Sequence, residues 1–336
     1  MQTTAETTAR RALVLGATGG IGGAVAQALA LHGWQVRALV RDPGKARTMP
    51  GIEWIQGDAM VRAEVVEAAA DTHAIVHAVN PPGYRNWEKL VLPMIDNTIA
   101  AARAAGGARI VLPGTIYNFD PAATPLIDER SAQRPRTRKG RIRVTLENRL
   151  LAASADAPVL IVRAGDFFGP DCRNSWFGQA MVKPGVPVRR IVNPGKGTGH
   201  GWAYLPDLAE TIVCLLAMED RLRPFERVQF EGIWDAGGTM MADAIRRVTH
   251  QPDLPEAAFP WWLMRLLAPF GGFPREVIEI EEYWRHPVRL DNTRLLALLD
   301  EEPRTPLDTA IAATLAGLGC LPSTRLRTPR LREAAA

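Results

Sequence analysis

The chain has 336 residues, 47% of them hydrophobic and 23% charged, which gives ample material for a core and excludes a disordered, collagen-like or disulfide-dense chain. Lysine and arginine exceed aspartate and glutamate by 40 to 36, a formal charge of +4; that surplus is too small to imply a nucleic-acid partner. At roughly 150 residues per domain the length allows two units, or one α/β domain with an embedded lobe.

Cys172, Cys214 and Cys320 are far apart and show no C-x-x-C spacing, so neither a disulfide framework nor a zinc site is indicated and reduced thiols in a cytoplasmic protein are expected. His73 and His77 sit four apart on a strand, on one face but about 13 Å from each other, too far to share a metal. Met1 to Arg11 is polar, and no later segment approaches the ~18 apolar residues of a membrane span, so no membrane partner is expected.

The first informative segment is RALVLGATGGIGGAVAQALALHG. Ala12 to Leu15 is an apolar run suited to a buried parallel strand; it stops at glycines before a helical pattern of Ile21, Val25, Leu29 and His32. In a strand–turn–helix of this kind Gly16 permits the sharp turn, Gly19 or Gly20 lets the backbone approach a pyrophosphate, and Gly22 lets the helix pack close to the strand. The helix N-terminus then faces the phosphates. The alternative is a tight turn with no ligand.

The alternation continues: a strand Gln35 to Val40, a short helix Pro43 to Arg47, a strand Glu53 to Gln56 ending at Gly57-Asp58, a helix from about Val61 to Ala70, a strand Ala74 to Val79, a helix from about Asn86 to Ala105 and a strand Ala108 to Leu112. Repeated βα units specify a doubly wound parallel sheet with ligands at the carboxyl ends of its strands. Pro158 to Val162 reads as a sixth strand, 166–201 is rich in glycine and proline with little periodicity, Pro206 to Met218 is an amphipathic helix, and Val228 to Phe230 is a last strand. From Thr239 the text is helical and cut by prolines.

GATGGIG, VRDP after the second strand, Gly57-Asp58, RAGDFFGP, WAYLPDLAE and the tail LDNTRLLALLDEEPRTPLDTAIAATLAGLG together resemble the extended and atypical short-chain dehydrogenase/reductases, which include the sugar-nucleotide epimerases and dehydratases. The resemblance implies a doubly wound parallel Rossmann sheet (11–165 plus 202–232) with a smaller, mostly helical substrate lobe (166–201 plus 233–325), a disordered N-terminus at 1–10 and a flexible tail at 326–336. It also implies cofactor contacts from Gly16, Thr18, Gly19, Gly20, Ile21 and Gly22, from Asp58 and Ala59 beside the adenine, and from Ala78 and Asn80 near the nicotinamide ribose. Asp58 could instead be an N-cap. At the end of the second strand, where an NAD-preferring relative places a carboxylate about 20 residues after the glycines, this chain has Arg41 followed by Asp42. A guanidinium there suits the 2′-phosphate of NADP; the alternative is a solvated Arg41 with Asp42 holding an NAD ribose or capping the next helix.

Such reductases carry a Ser or Thr at the end of the fifth strand and a Tyr-x-x-x-Lys on the next helix. Here Thr115 matches the hydroxyl, but the helix reads TRKGRIRVTLENRLLAAS, which puts Lys139 at the tyrosine position, where it also borders the cofactor, and Arg143 at the lysine position. Lys139, its pKa lowered by Arg143 and partial burial, is the candidate general acid, and Tyr117 is the nearby phenol that could replace it. Lys139, Arg143 and Glu147 share a face, and Arg143 with Glu147 could equally be a surface ion pair. Six basic residues fall between Arg134 and Arg143, read as a solvated loop or an anion pocket. Asn80, Tyr117, His200 and Trp202 are candidate substrate contacts. Apolar stripes on helices 86–105 and 139–153 suggest a homodimer. The resulting expectation is an NADP(H)-dependent oxidoreductase, with NAD as the alternative cofactor, acting on a small carbonyl or hydroxyl compound; the other readings are a non-catalytic NADP-binding sensor or scaffold, and a sugar-nucleotide epimerase or dehydratase.

Overall fold

Seven of the apolar runs pair side by side. The computed structural model describes residues 9–81 and 87–321, in which β1 (Arg11–Leu15), α1 (Gly20–Leu31), β2 (Gln35–Val40), β3 (Ile52–Gln56), α2 (Arg62–Ala68), β4 (Ala74–His77), α3 (Trp87–Ala104), β5 (Arg109–Gly114), β6 (Leu126–Ile127), α4 (Arg138–Ala153) and β7 (Val159–Arg163) follow in order. After them come β8 (Asp166–Phe168), β9 (Ile191–Asn193), β10 (His200–Tyr204), α5 (Leu205–Ala217), β11 (Phe225–Gln229), β12 (Ile233–Asp235), α6 (Met240–Thr249), β13 (Glu256–Ala258), α7 (Trp261–Leu267), α8 (Gly272–Ile278), α9 (Glu282–Arg285), β14 (Arg289–Leu290), α10 (Thr293–Leu299) and α11 (Leu307–Gly317).

The main sheet has the order β11-β7-β5-β4-β1-β2-β3, and every pairing in it is parallel. Its central strands are buried on both faces, as crossover helices require. In β1, Ala12 and Val14 point to the side covered by α1 and α5, where Val25, Leu29, Leu208 and Ile212 pack. Leu13 and Leu15 point to the side covered by α2, α3 and α4. Val91, Ile95 and Ile99 of α3 and Ile142, Leu146 and Leu150 of α4 all lie in this second core. Asp96 and Arg149 link the outer faces of the same helices.

A second lobe gathers at the carboxyl edge. Phe168, Phe177, Trp202, Met241, Trp284, Ile311 and Leu315 lie in its core, and α6 to α9 with α11 supply its helices, whereas α10 returns to the main sheet, where Leu295 and Leu298 pack in the first core. The 166–201 stretch, read as lacking regular structure, contains β8, β9 and the start of β10. These belong to small sheets of order β12-β10-β8 and β13-β9, while β14 pairs with β6. Strands of two to five residues whose partners are distant in sequence leave no periodicity to read. Of the expected disordered N-terminus, residues 1–8 lie outside the described residues, as does the whole of 326–336; Arg10 is held by a bond to the Leu216 carbonyl (2.9 Å) and lies over Trp34.

Candidate active site

The turn between β1 and α1 is built as the glycines demand. Gly16 has φ +92°, and a Cβ there would lie 2.7 Å from the Ala78 carbonyl oxygen, so only glycine lets this turn touch the chain leaving β4. A Cβ on Gly22 would lie 2.2 Å from the Gly16 oxygen, so the helix cannot sit this close to the turn with any larger residue. Thr18 and Gly19 are exposed at the tip. A Cβ on Gly19 would meet only the Gly16 oxygen, at 3.3 Å, whereas one on Gly20 would meet Cys172 Sγ and Leu205 at about 3 Å. The two glycines that the sequence left interchangeable therefore differ: Gly19 faces open space and Gly20 faces the protein. Gly19 caps α1 without any side-chain acceptor, and the first turn, which includes Ile21, carries no acidic residue, so the helix presents free amide hydrogens and a positive dipole end.

Around this turn, Arg41 is exposed at the end of β2. Asp42 caps the short turn after it, accepting from the Gly44 amide at 3.1 Å. Asp58 accepts from the Met60 amide at 2.9 Å and donates its own amide to Glu64 at 2.7 Å, which makes it the turn former ahead of α2. The Ala59 carbonyl is fixed by the Asn97 side chain at 2.9 Å. Across the turn, Arg47 and Asp171 form an ion pair at 2.6 Å.

The second group of candidates meets beyond β4 and β5. Arg143 donates to the Asn80 side-chain oxygen at 3.3 Å, and its guanidinium lies 4.8 Å from the centre of the Trp87 ring. Beneath it, His77 is fully buried with Nδ1 against the Thr98 hydroxyl at 2.7 Å. The Thr98 hydroxyl also lies 3.1 Å from the Met94 carbonyl. Burial, and then the nearby Arg143 cation, push the His77 pKa down to about 3. Thr115 caps a short turn by accepting from the Tyr117 amide at 3.3 Å. Tyr117 packs edge-on to Tyr283 with 5.1 Å between rings, and the single hydroxyl proton of Tyr283 is shared between the carbonyls of Phe119 at 2.8 Å and Tyr117 at 3.0 Å.

The start of α4 presses on this loop. A Cβ on Gly140 would lie 2.3 Å from the Tyr117 oxygen, so glycine is needed between Lys139 and Arg143 for the helix to come this close. Lys139 is not the lone, partly buried ammonium that the sequence suggested. It is fully buried, and its Nζ donates to Glu276 Oε2 at 2.5 Å, Glu279 Oε2 at 2.6 Å and the Glu276 carbonyl at 3.2 Å; an ammonium has three donors. Its amide also donates to Glu279 at 2.8 Å. Burial would raise the Glu279 carboxyl, but the bonds from Lys139, with the charge of Arg138, outweigh it and hold that carboxyl below its ordinary value. Glu147, read as a surface partner of Arg143, is instead buried against Arg163 at 2.9 and 3.0 Å and also accepts from Asn118 and Gln133.

His200 and Trp202 lie in the core of the second lobe. His200 is bonded to Asp166 at 2.7 Å and stacked on Trp284 at 3.8 Å, while Trp202 is buried beside them. Glu276, Glu279 and Trp87 were not foreseen. The acidic run after Arg275 was visible, but nothing in one sequence pairs it with a lysine 137 residues earlier. Among the described residues no group of His, Cys, Asp and Glu could hold a metal ion, and no helix is long and apolar enough to cross a membrane.

Residues 16–165 match a family described as NAD(P)H-binding. The chain is 31% identical over 176 residues to the 3-diazoavenalumate denitrifying reductase of a Streptomyces species, a match that covers 48% of this chain and 57% of that protein. Its fold is similar to MoeE5, solved with UDP-glucose and NAD (TM-score 0.70, 18% identity, 91% of this chain and 98% of that one). It is also similar to TunA, an NAD-dependent NDP-hexosamine 5,6-dehydratase involved in tunicamycin biosynthesis (TM-score 0.67, 18% identity, 92% and 97%). Residues 16–165 thus carry the likeness to an NAD(P)H-binding family, and the chain as a whole shares the Rossmann-type α/β fold of these solved structures.

Proposed function

We propose that the protein is an NADP(H)-dependent oxidoreductase of atypical extended short-chain type, acting on a small carbonyl or hydroxyl compound held between the two lobes. The observation that carries this reading is the pairing of an open glycine turn at Gly19 with the exposed Arg41 at the end of β2. The first accepts a pyrophosphate and the second suits a 2′-phosphate. When bound, the cofactor supplies the hydride. The chain's own residues position: Asn80 and Arg143 border the nicotinamide end, and Thr115 and Tyr117 offer hydroxyls to the substrate oxygen. Lys139, with Nζ bound to Glu276 and Glu279, is a positioning residue in this scheme, which leaves Tyr117 or solvent to supply the proton.

A second reading has a specific observation behind it. With the tyrosine position taken by a lysine committed to two carboxylates, the site suits an acceptor that takes hydride without needing a protein acid, and a curated relative is by name a denitrifying reductase of a diazo compound. Fluorescence titration with NADPH and NADH, followed by turnover on carbonyl and diazo panels, tests both. Equal weak binding of the two nucleotides, unchanged in Arg41→Ala, refutes the NADP assignment. Tight binding with no turnover on either panel refutes the oxidoreductase and favours a sensor.

A further inference from the structure

The edge of the main sheet holds a cavity that neither the glycine turn nor the Thr115–Tyr117 loop uses. β11 is the edge strand, separated from β1 by β7, β5 and β4. Along it Phe225, Arg227 and Gln229 alternate onto the face that carries Val159, Ile161 and Arg163 of β7. Between this row and α4 lies a cavity of about 380 Å³, within the range of small-metabolite sites. Phe225 with Val144 and Leu151 of α4 gives it an apolar wall, and Arg227 with Gln133 and Glu147 gives it a polar end. Leu151, 52% exposed, stands at the mouth.

Arg227 is the cation of this cavity. It is half-buried, its guanidinium lies 5.7 Å from the centre of the Phe225 ring, and it donates to the Glu129 carbonyl at 2.6 Å. The carboxylates around it are engaged elsewhere: Glu147 with Arg163 at 2.9 Å, Glu129 with Arg130 at 3.7 Å, and Asp128 with the Ser131 hydroxyl at 2.7 Å. Burial holds the Arg227 pKa below its ordinary value, against the pull of Glu147 and with help from the Arg163 cation. The wall behind is short of partners as well. Asn118 Oδ1, Arg163 Nε and Gln229 Oε1 are buried with no hydrogen bond among the described residues, although Asn118 and Arg163 both bond Glu147. The polar end therefore carries hydrogen-bonding capacity that the chain itself does not satisfy.

We propose that this cavity binds a small organic monocarboxylate, its acid group on Arg227 and its apolar body against Phe225, Val144 and Leu151. A half-buried guanidinium without an ion-pair partner gains most from a charge-assisted bond to a carboxylate. The apolar wall asks for a ring or short chain behind the acid group. Glu147, Glu129 and Asp128 close by oppose a second negative charge, which disfavours inorganic phosphate or a phosphorylated metabolite.

The test is a ligand-observed NMR titration of the full chain with benzoate, hexanoate and benzamide, the last an uncharged match for benzoate. Benzoate and hexanoate bind, and benzamide binds about tenfold more weakly or less, the worth of one charge-assisted hydrogen bond. Arg227→Gln weakens benzoate by about 10- to 100-fold. At the mouth, Leu151→Glu weakens benzoate and Leu151→Lys strengthens it, while neither changes benzamide. Thermal melts show which variants fold, and the two substitutions at the exposed Leu151 decide the matter if Arg227→Gln does not. The proposal is overturned if the parent chain binds neither acid, if benzamide binds as tightly as benzoate, or if benzoate ignores the charge placed at position 151. Undiminished benzoate binding by a folded Arg227→Gln protein overturns it equally.

Discussion

Replacing Lys139 with Met separates a proton donor from a structural clamp. The substitution removes the cation from between Glu276 and Glu279 while keeping an apolar stem of similar length. Breaking a buried ion pair by deleting one partner costs about 3–5 kcal/mol, because the remaining charge is left in a poorly solvated place. The lower end applies here, since each carboxylate keeps 19% of its side-chain surface exposed and Arg138 stays within 3.5 to 4.0 Å. With an unfolding entropy of ~2.1 cal/mol/K per residue, a loss at that lower end lowers the melting temperature by roughly 4 °C if the chain unfolds as one unit. The loss depends on pH in a defined sense. Glu279 is held below its ordinary carboxyl value when folded, so its contribution is present above the unfolded pKa and disappears as the pH falls through the folded one. The deficit of Lys139→Met is therefore larger at pH 7 than in the acid range. Adding Glu276→Gln and Glu279→Gln removes the stranded charges and restores much of the stability. Thermal melts of the three proteins, with NADPH titration and turnover alongside, check this. A Lys139→Met protein that melts with the parent yet loses 10²–10⁴-fold in turnover, the span for a lost general acid, would refute the clamp.

Other substitutions test neighbouring parts. Arg41→Ala should weaken NADPH binding by about 10- to 100-fold, the worth of one or two charge-assisted bonds, and leave NADH unchanged; equal loss for both removes Arg41 from the 2′-phosphate. Gly19→Ala should fold normally and lose nucleotide binding, whereas Gly22→Ala, whose Cβ would meet the Gly16 oxygen at 2.2 Å, should lower the melting temperature as well; the reasoning fails if the two melt alike. His77 has a folded pKa of about 3 against ~6.5 unfolded, so the unfolded chain binds the extra proton and stability falls as the pH drops from about 6.5 toward 3. His77→Gln should flatten that part of the urea-midpoint profile, and an unchanged slope would show that other groups set it.

The sheet was legible because its information is local. Most strands from β1 to β5 and β7 are short apolar runs, and the observed ends fall within about two residues of the expected ones. The glycine turn was legible for a similar reason, since the positive φ of Gly16 and the approach of Gly22 to the Gly16 oxygen arise within one strand–turn–helix, although the contact of Gly16 with Ala78 comes from the chain leaving β4. The clamp on Lys139 was not, since Glu276 and Glu279 reach it only after the chain has built the second lobe. Gly19 and Gly20 likewise could not be told apart until Cys172 and Leu205 came to rest against one of them.

A sheet that is apolar on both faces has lost the usual guard against slippage. In β1, where Ala12 and Val14 meet one core and Leu13 and Leu15 the other, a shift of one residue exchanges the faces at little cost in burial, so alternation alone does not number the strands. The numbering is carried by a few polar side chains at or near the strand ends. Arg109 at the start of β5 bonds Glu219, His77 at the end of β4 bonds Thr98, Arg163 at the end of β7 bonds Glu147, and Glu226 near the start of β11 bonds Arg294. Each works as an address label: a slip of one position would draw a charged or hydrogen-bonding group away from its partner, at the cost of an unpaired group in a dry place.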